Sequence, residues 1–138
     1  FTISDAGNAK ITTSLGVGVN ANGTSGRIDA ANDIVAYSSS DIRWKTNIKP
    51  IENPIEKIKQ ISGNTFEWIE DTNPVGKVHG NVGKDVGVIA QEIEAVLPEI
   101  VTTRDSGMKA VKYEKLVALL IEAVKEQQKQ IDELKAKL

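Results

Sequence analysis

The sequence predicts an α+β protein, and three features lead there. Between residues 51 and 112, short helical periods alternate with short period-two runs. From about Tyr113 onward, one apolar residue recurs every three or four places. Ahead of residue 40 both patterns give way to a stretch rich in Ala, Gly and Asn.

In that first stretch, Thr2–Ser4, Lys10–Thr12 and Val17–Val19 read as strand fragments bounded by Asn, Gly or Asp turn signals. None carries enough apolar surface for a core of its own. Such a segment either stays disordered or borrows packing from identical neighbours, as thin β-structured fibre shafts do. The residues alone leave both states open. The pattern starts mid-period at Phe1, as expected of a piece of a longer chain.

The second part holds the mixed helix and hairpin pattern. Asn53 and Pro54 predict an N-cap and the first position of a helix. Ile51, Ile55, Ile58 and Ile61 follow at helical spacing, and Gly63 is the stop. In "NTFEWIE", Phe66 and Trp68 alternate with Thr65, Glu67 and Ile69, which predicts a strand. A Gly/Asn/Pro loop covers 70–84. "DVGVIA" is a short apolar strand. "QEIEAVL" is a two-turn helix with Ile93, Val96 and Leu97 on one face, ended by Pro98. "EIVTT" and "KAVKY" flank "RDSG", a hairpin signal.

The last helix is predicted from about Tyr113 to Leu138. Val117, Leu120, Val124, Gln127, Ile131, Leu134 and Leu138 are spaced 3, 4, 3, 4, 3, 4, a heptad seam with charged or amide residues elsewhere. So narrow a seam favours a coiled coil over packing on the helix's own domain. Val and Ile at a with Leu at d lean toward two strands, and the polar Gln127 at d is an exception that fixes register and number.

Composition removes several functions. With no cysteine there is no disulfide or thiolate metal site, and a single histidine, His79, gives no basis for a zinc centre. No metal or other cofactor is expected. A net charge of −2 gives no reason to expect nucleic acid. No apolar run approaches the ~20 residues of a membrane span. Glu92, Glu94 and Glu99 read as solvated charge rather than paired acids, since Glu92 and Glu94 fall on different helix faces. Gly76, Gly80 and Gly83 lack the context of a phosphate loop.

"YSSSDIRWKTNI", residues 37–48, is the one stretch with chemical content. A serine hydroxyl needs a base to become a nucleophile. With one distant histidine, the available base is a lysine kept neutral by burial or by neighbouring cations such as Arg43 and Lys49. Ser40 and Lys45 are five apart, which sets them on opposite faces of a strand and about 140° apart on a helix. They converge only if the chain turns between them, and Asp41 suits a turn or cap. Ser-Ser-Ser-Asp also suits a plain linker.

"SSDIRWKTNI" resembles the Ser-Asp-x-Arg-x-Lys-x-Asn-Ile signature that opens the C-terminal intramolecular chaperone of phage tail fibres and tailspikes, endosialidases among them. A similar domain occurs in the myelin regulatory factor. "DVGVIAQEIEAVLPEIV" (85–101) and "KAVKYEKLVALLIEAVKE" (109–126) are similar to that family's central block and its long-helix ending. Trp44 stands where the family usually has leucine.

The resemblance implies a single-turnover, self-cleaving serine peptidase. Ser40 is then the nucleophile and Lys45 the base, with Asp41 and Arg43 in support, and the bond between Ser39 and Ser40 is cut. It also implies a homotrimer, outweighing the dimer leaning of the seam, and it favours the fibre reading of the first segment. Residues 1–39 are then the end of the fibre shaft, both folding client and substrate. Residues 40–138 are the chaperone, with the long helix (113–138) as a trimeric coiled coil. The setting implied is a virion tail-fibre precursor assembled in the host cytoplasm, its chaperone part released after cleavage. The competing readings are a non-cleaving receptor-binding tip and a plain coiled-coil assembly domain. Gln91 and Glu92 lie in the family block without an assigned role.

Overall fold

A computed structural model describes residues 2–21, 23–74 and 76–138. The chain divides into two units: the residues up to Ser40 together with Glu67–Lys84, and Asp41–Phe66 together with Asp85–Leu138. The loop expected within the second part is thus grouped with the first.

The first unit is built of very short strands. β1 (Thr2–Ile3) pairs antiparallel with β2 (Ala9–Lys10). β3 (Leu15–Val17) pairs parallel with β4 (Ile28–Ala30), Leu15 opposite Ile28 and Val17 opposite Ala30. Parallel strands need a long return, commonly a helix. Here the described residues of the return form no helix, and the Gly26 amide donates to the Thr13 carbonyl at 2.7 Å and the Leu15 amide to the Arg27 carbonyl at 2.9 Å. β4 carried no strong sequence signal, because Ile28-Asp29-Ala30 is too short for a readable period.

The second unit opens on a 3-10 turn (Ile42–Trp44) and α1 (Pro54–Ile58). Asn53 does not cap α1 with its side chain. It sits in the left-handed region at φ 49°, because the proline after it disfavours the right-handed helical region and Asn tolerates the alternative. Its carbonyl still accepts the Lys57 amide at 3.1 Å. β5 (Asn64–Glu67) pairs with β6 (Lys84–Gly87), and α2 (Ala90–Val96) follows. β7 (Val101–Thr103) and β8 (Lys109–Val111) form the expected antiparallel hairpin, Val101 opposite Val111, closed through Gly107 at φ 83°.

A further 3-10 turn (Tyr113–Lys115) leads into α3 (Leu116–Ala136). The Tyr113 hydroxyl oxygen accepts the Val88 amide at 3.1 Å and lies over Gly87, where a Cβ would come within 2.5 Å of it. Only glycine lets the exit of β6 run this close to the head of α3.

The core of the second unit is small. Pro54 of α1, Ile93 of α2, Ile100, and Leu119 and Ala123 of α3 are its buried apolar side chains among the described residues. Glu92 adds a polar tie. Its Oε2 accepts both the backbone N–H and the hydroxyl of Ser62, each at 2.8 Å, while the Asn64 amide donates to the Ser62 hydroxyl oxygen at 2.8 Å. Glu94, two residues on, faces elsewhere and pairs with Lys109 at 2.6 Å. The two carboxylates therefore serve separate structural partners. Glu92→Ala leaves two half-buried donors of Ser62 without an acceptor and should cost about 1–3 kcal/mol. Thermal unfolding read by circular dichroism is expected to show this as a lowered midpoint, with Glu92→Gln in between.

α3 carries two apolar stripes. Leu116, Leu119 and Ala123 face inward, and α3 also packs against α1. The heptad seam lies about 75° around the helix from this stripe at 100° per residue. On the single chain it is exposed: Leu120 is 52% and Leu134 62% accessible. The chain exposes 11280 Å² in all. Two separate compact bodies of the same total mass would expose roughly 8,400 Å² between them.

Candidate functional site

Residues 31–53 run without regular strand or helix apart from the turn at 42–44. Asp41 makes that turn. Its carboxylate Oδ1 accepts the Arg43 backbone N–H at 2.9 Å and Arg43 Nε at 3.0 Å, while Oδ2 accepts Arg43 Nη2 at 2.8 Å. The Trp44 amide donates to the Asp41 carbonyl at 3.1 Å, and the Lys45 amide to the Ile42 carbonyl at 3.0 Å. Acid and arginine thus grip one another across one intervening residue, and the backbone makes one 3-10 turn at Ile42–Trp44 with Asp41 and Lys45 extended on either side.

The Asp41 carboxyl is held below the usual carboxylate range, first by the Arg43 guanidinium, then by the Arg43 amide, and to a lesser degree by the charge of Lys45. The same pair raises Arg43 above its usual value. A depressed carboxyl favours the folded turn while it is ionised. Its contribution is therefore complete above the ordinary carboxylate range and fades as pH falls through the lowered value. Titration of the Asp41 carboxyl carbon by NMR should show a midpoint below 3.8, moving toward 3.8 in Arg43→Ala.

Asp41 and Arg43 are brought together by the fold. Ser40 is the last residue of the first unit, and Lys45 leaves the turn within the second. Both side chains are exposed on the single chain. Apolar side chains near them in sequence are exposed as well: in the first unit Tyr37 is 94% accessible, with Ile34 and Val35 above half, and in the second Trp44 is 87% accessible, with Ile42 and Ile48 above half. Among the described residues no three His, Cys, Asp or Glu side chains converge as a metal site would require. No described helix is long and apolar enough to cross a membrane.

Residues 40–102 match the family of the chaperone of endosialidase. The resemblance read from the sequence is thereby borne out, and the match opens at Ser40. The family bears a peptidase name. The long tail fibre protein Gp37 of Enterobacteria phage T2 is 39% identical over 106 residues, 74% of this chain and 8% of its own length. The Gp37 protein of Salmonella phage S16 is 39% identical over 103 residues, covering 72% of this chain and 14% of its own. That of Enterobacteria phage Ox2 is 33% identical over 103 residues, covering 72% and 39%. The chain thus spans well under half the length of each of these relatives. Within the chaperone-of-endosialidase match lie the Asp41–Arg43 turn, the Ser62–Glu92 tie and α2. Composition gave no sign of the Glu92 tie, because a serine thirty residues away has no periodicity to betray it.

Proposed function

We propose that this chain is the C-terminal part of a phage tail-fibre precursor. In this reading, residues 40–138 trimerise, direct folding of the fibre end before them, and cut themselves free between Ser39 and Ser40. The observation that carries the reading is the coincidence at Ser40. The family match begins there, and the two units divide at the next peptide bond.

The chemistry needs little. Ser40 Oγ attacks the Ser39 carbonyl carbon as Lys45 takes the hydroxyl proton. The Ser39–Ser40 C–N bond breaks, and the Ser40 nitrogen leaves as an amine after gaining a proton. The resulting ester to Ser40 Oγ is hydrolysed by water, which frees a carboxylate on Ser39 and restores the hydroxyl. A cut completed within an hour needs a rate of about 10⁻³ s⁻¹, a barrier of roughly 21 kcal/mol. Holding a hydroxyl against its own neighbouring carbonyl contributes about 7–11 kcal/mol. The Asp41–Arg43 pair is placed to fix the turn on which that approach depends.

A trimer gives the bare surface a use. The exposed area exceeds that of compact bodies by several times the ~800 Å² each partner buries in a standard interface. The α3 seam and the apolar groups around Trp44 are the surfaces for it. Lysine acts as a base only while uncharged, and burial favours that form. Packing by neighbouring chains would bury Lys45 and so tie cutting to assembly. Three pre-aligned fibre ends then fold as one body, avoiding a slow search among separate chains. The direct test is a time course on a denaturing gel, in which the 14.9 kDa chain resolves into two pieces whose sequenced ends are Ser39 and Ser40. Chains that stay whole through prolonged incubation point instead to an assembly domain without chemistry.

A further inference from the structure

We propose that the excursion between β5 and β6 is a clamp on the N-terminal segment, so that scission and release are separate steps. This rests on the self-cleavage reading above. The residues up to Ser40 and the stretch Glu67–Lys84 form one unit, although the 39–40 bond lies between them in the chain. A cut at that bond leaves the two sides of one folded unit on different products.

One named contact joins them. Arg27 Nη1 donates to the Asn81 side-chain carbonyl at 3.2 Å. Both partners are braced. Arg27 Nε is held by Asp29 Oδ1 at 2.7 Å, with the two side chains only 34% and 20% accessible. This turns the remaining guanidinium nitrogens toward the excursion. On the other side, the Asn81 backbone N–H donates to His79 Nδ1 at 3.2 Å, and the His79 ring lies 5.3 Å from that of Trp68. Asp71 closes the excursion on itself, its carboxylate accepting the amides of Asn73 at 3.0 Å and Val78 at 2.6 Å. His79, Gly80 and Asn81 are half-buried in a loop otherwise mostly exposed.

While the chain is whole, this contact is intramolecular and closes at high effective concentration. Once the chain is cut, the same contact becomes a complex of two molecules with a finite lifetime. The fibre end is thus still gripped after scission, and the chaperone departs at a rate set by the clamp.

The experiment follows one sample by denaturing gel and by native size-exclusion chromatography. The gel reports scission and the column reports separation. We expect the pieces to co-elute after scission and part later. Arg27→Ala should speed parting about 10- to 100-fold, as loss of a hydrogen bond to a charged group does, with scission unchanged. Asn81→Asp, which makes that bond charge-assisted on both sides, should slow parting. The clamp is overturned if the native pieces separate as fast as they form, or if Arg27→Ala leaves parting unchanged, or if Asn81→Asp speeds it. If the gel shows no scission, the self-cleavage reading fails on its own. A site for a sequence-specific protease inserted between Ser38 and Ser39 then supplies the nick, and the same comparison still decides the clamp.

Discussion

Ser40→Ala leaves the chain in one piece. On a denaturing gel the variant is expected to run as a single 14.9 kDa species under conditions where the native chain gives two. The proximity contribution of about 7–11 kcal/mol disappears with the hydroxyl, so the rate falls by at least about 10⁵-fold. Lys45→Ala should stop the cut as well, since nothing else in the turn accepts the proton: Asp41 is engaged by Arg43 on both of its oxygens. Both side chains are exposed on the single chain, so neither change removes core packing. Both variants should therefore assemble as the native chain does. Two pieces from both variants would remove the Ser40–Lys45 assignment. Two pieces from Lys45→Ala alone would leave Ser40 as nucleophile and require a different base.

Leu120→Asp with Leu134→Asp should disperse the assembly into single folded chains. Each leucine is more than half exposed on the single chain and lies on the seam rather than on the buried stripe of Leu119 and Ala123. Burying a leucine is worth about 1.5–3 kcal/mol. Six leucines per trimer thus amount to something of order 10 kcal/mol, and unpaired buried carboxylates add a desolvation cost. Sedimentation should report three chains for the native protein and one for the variant. Circular dichroism should report nearly unchanged helix, because Leu119 and Ala123 still hold α3 to its own unit. Cleavage should stop in parallel if neighbouring chains bury Lys45. A variant that remains a trimer would show the seam to be a solvated face. A dispersed variant that still cuts would separate the chemistry from assembly.

Much of the second unit was legible because its signals are local. "RDSG" between two apolar runs fixes a hairpin through turn geometry, and "QEIEAVL" before Pro98 fixes a helix and its end. The Asp41 turn was readable as a cap two residues ahead of the backbone N–H it accepts. The heptad of α3 marks one face by spacing alone. The family match starting at Ser40 rests on the same kind of information, a contiguous string of residues.

Local pattern by itself settled these elements, since a turn, a cap or a helical face is decided by neighbours within a few residues. Tertiary structure decided which of the two stripes on α3 is used at home, burying Leu119 and Ala123 while Leu120 and Leu134 stay exposed, because that depends on what the rest of the unit packs against the helix. It also decided that Glu92 answers Ser62, and that the excursion holding Asn81 joins the segment holding Arg27. Those pairings span thirty and fifty-four residues, and across such distances a contact is set by how the whole chain closes.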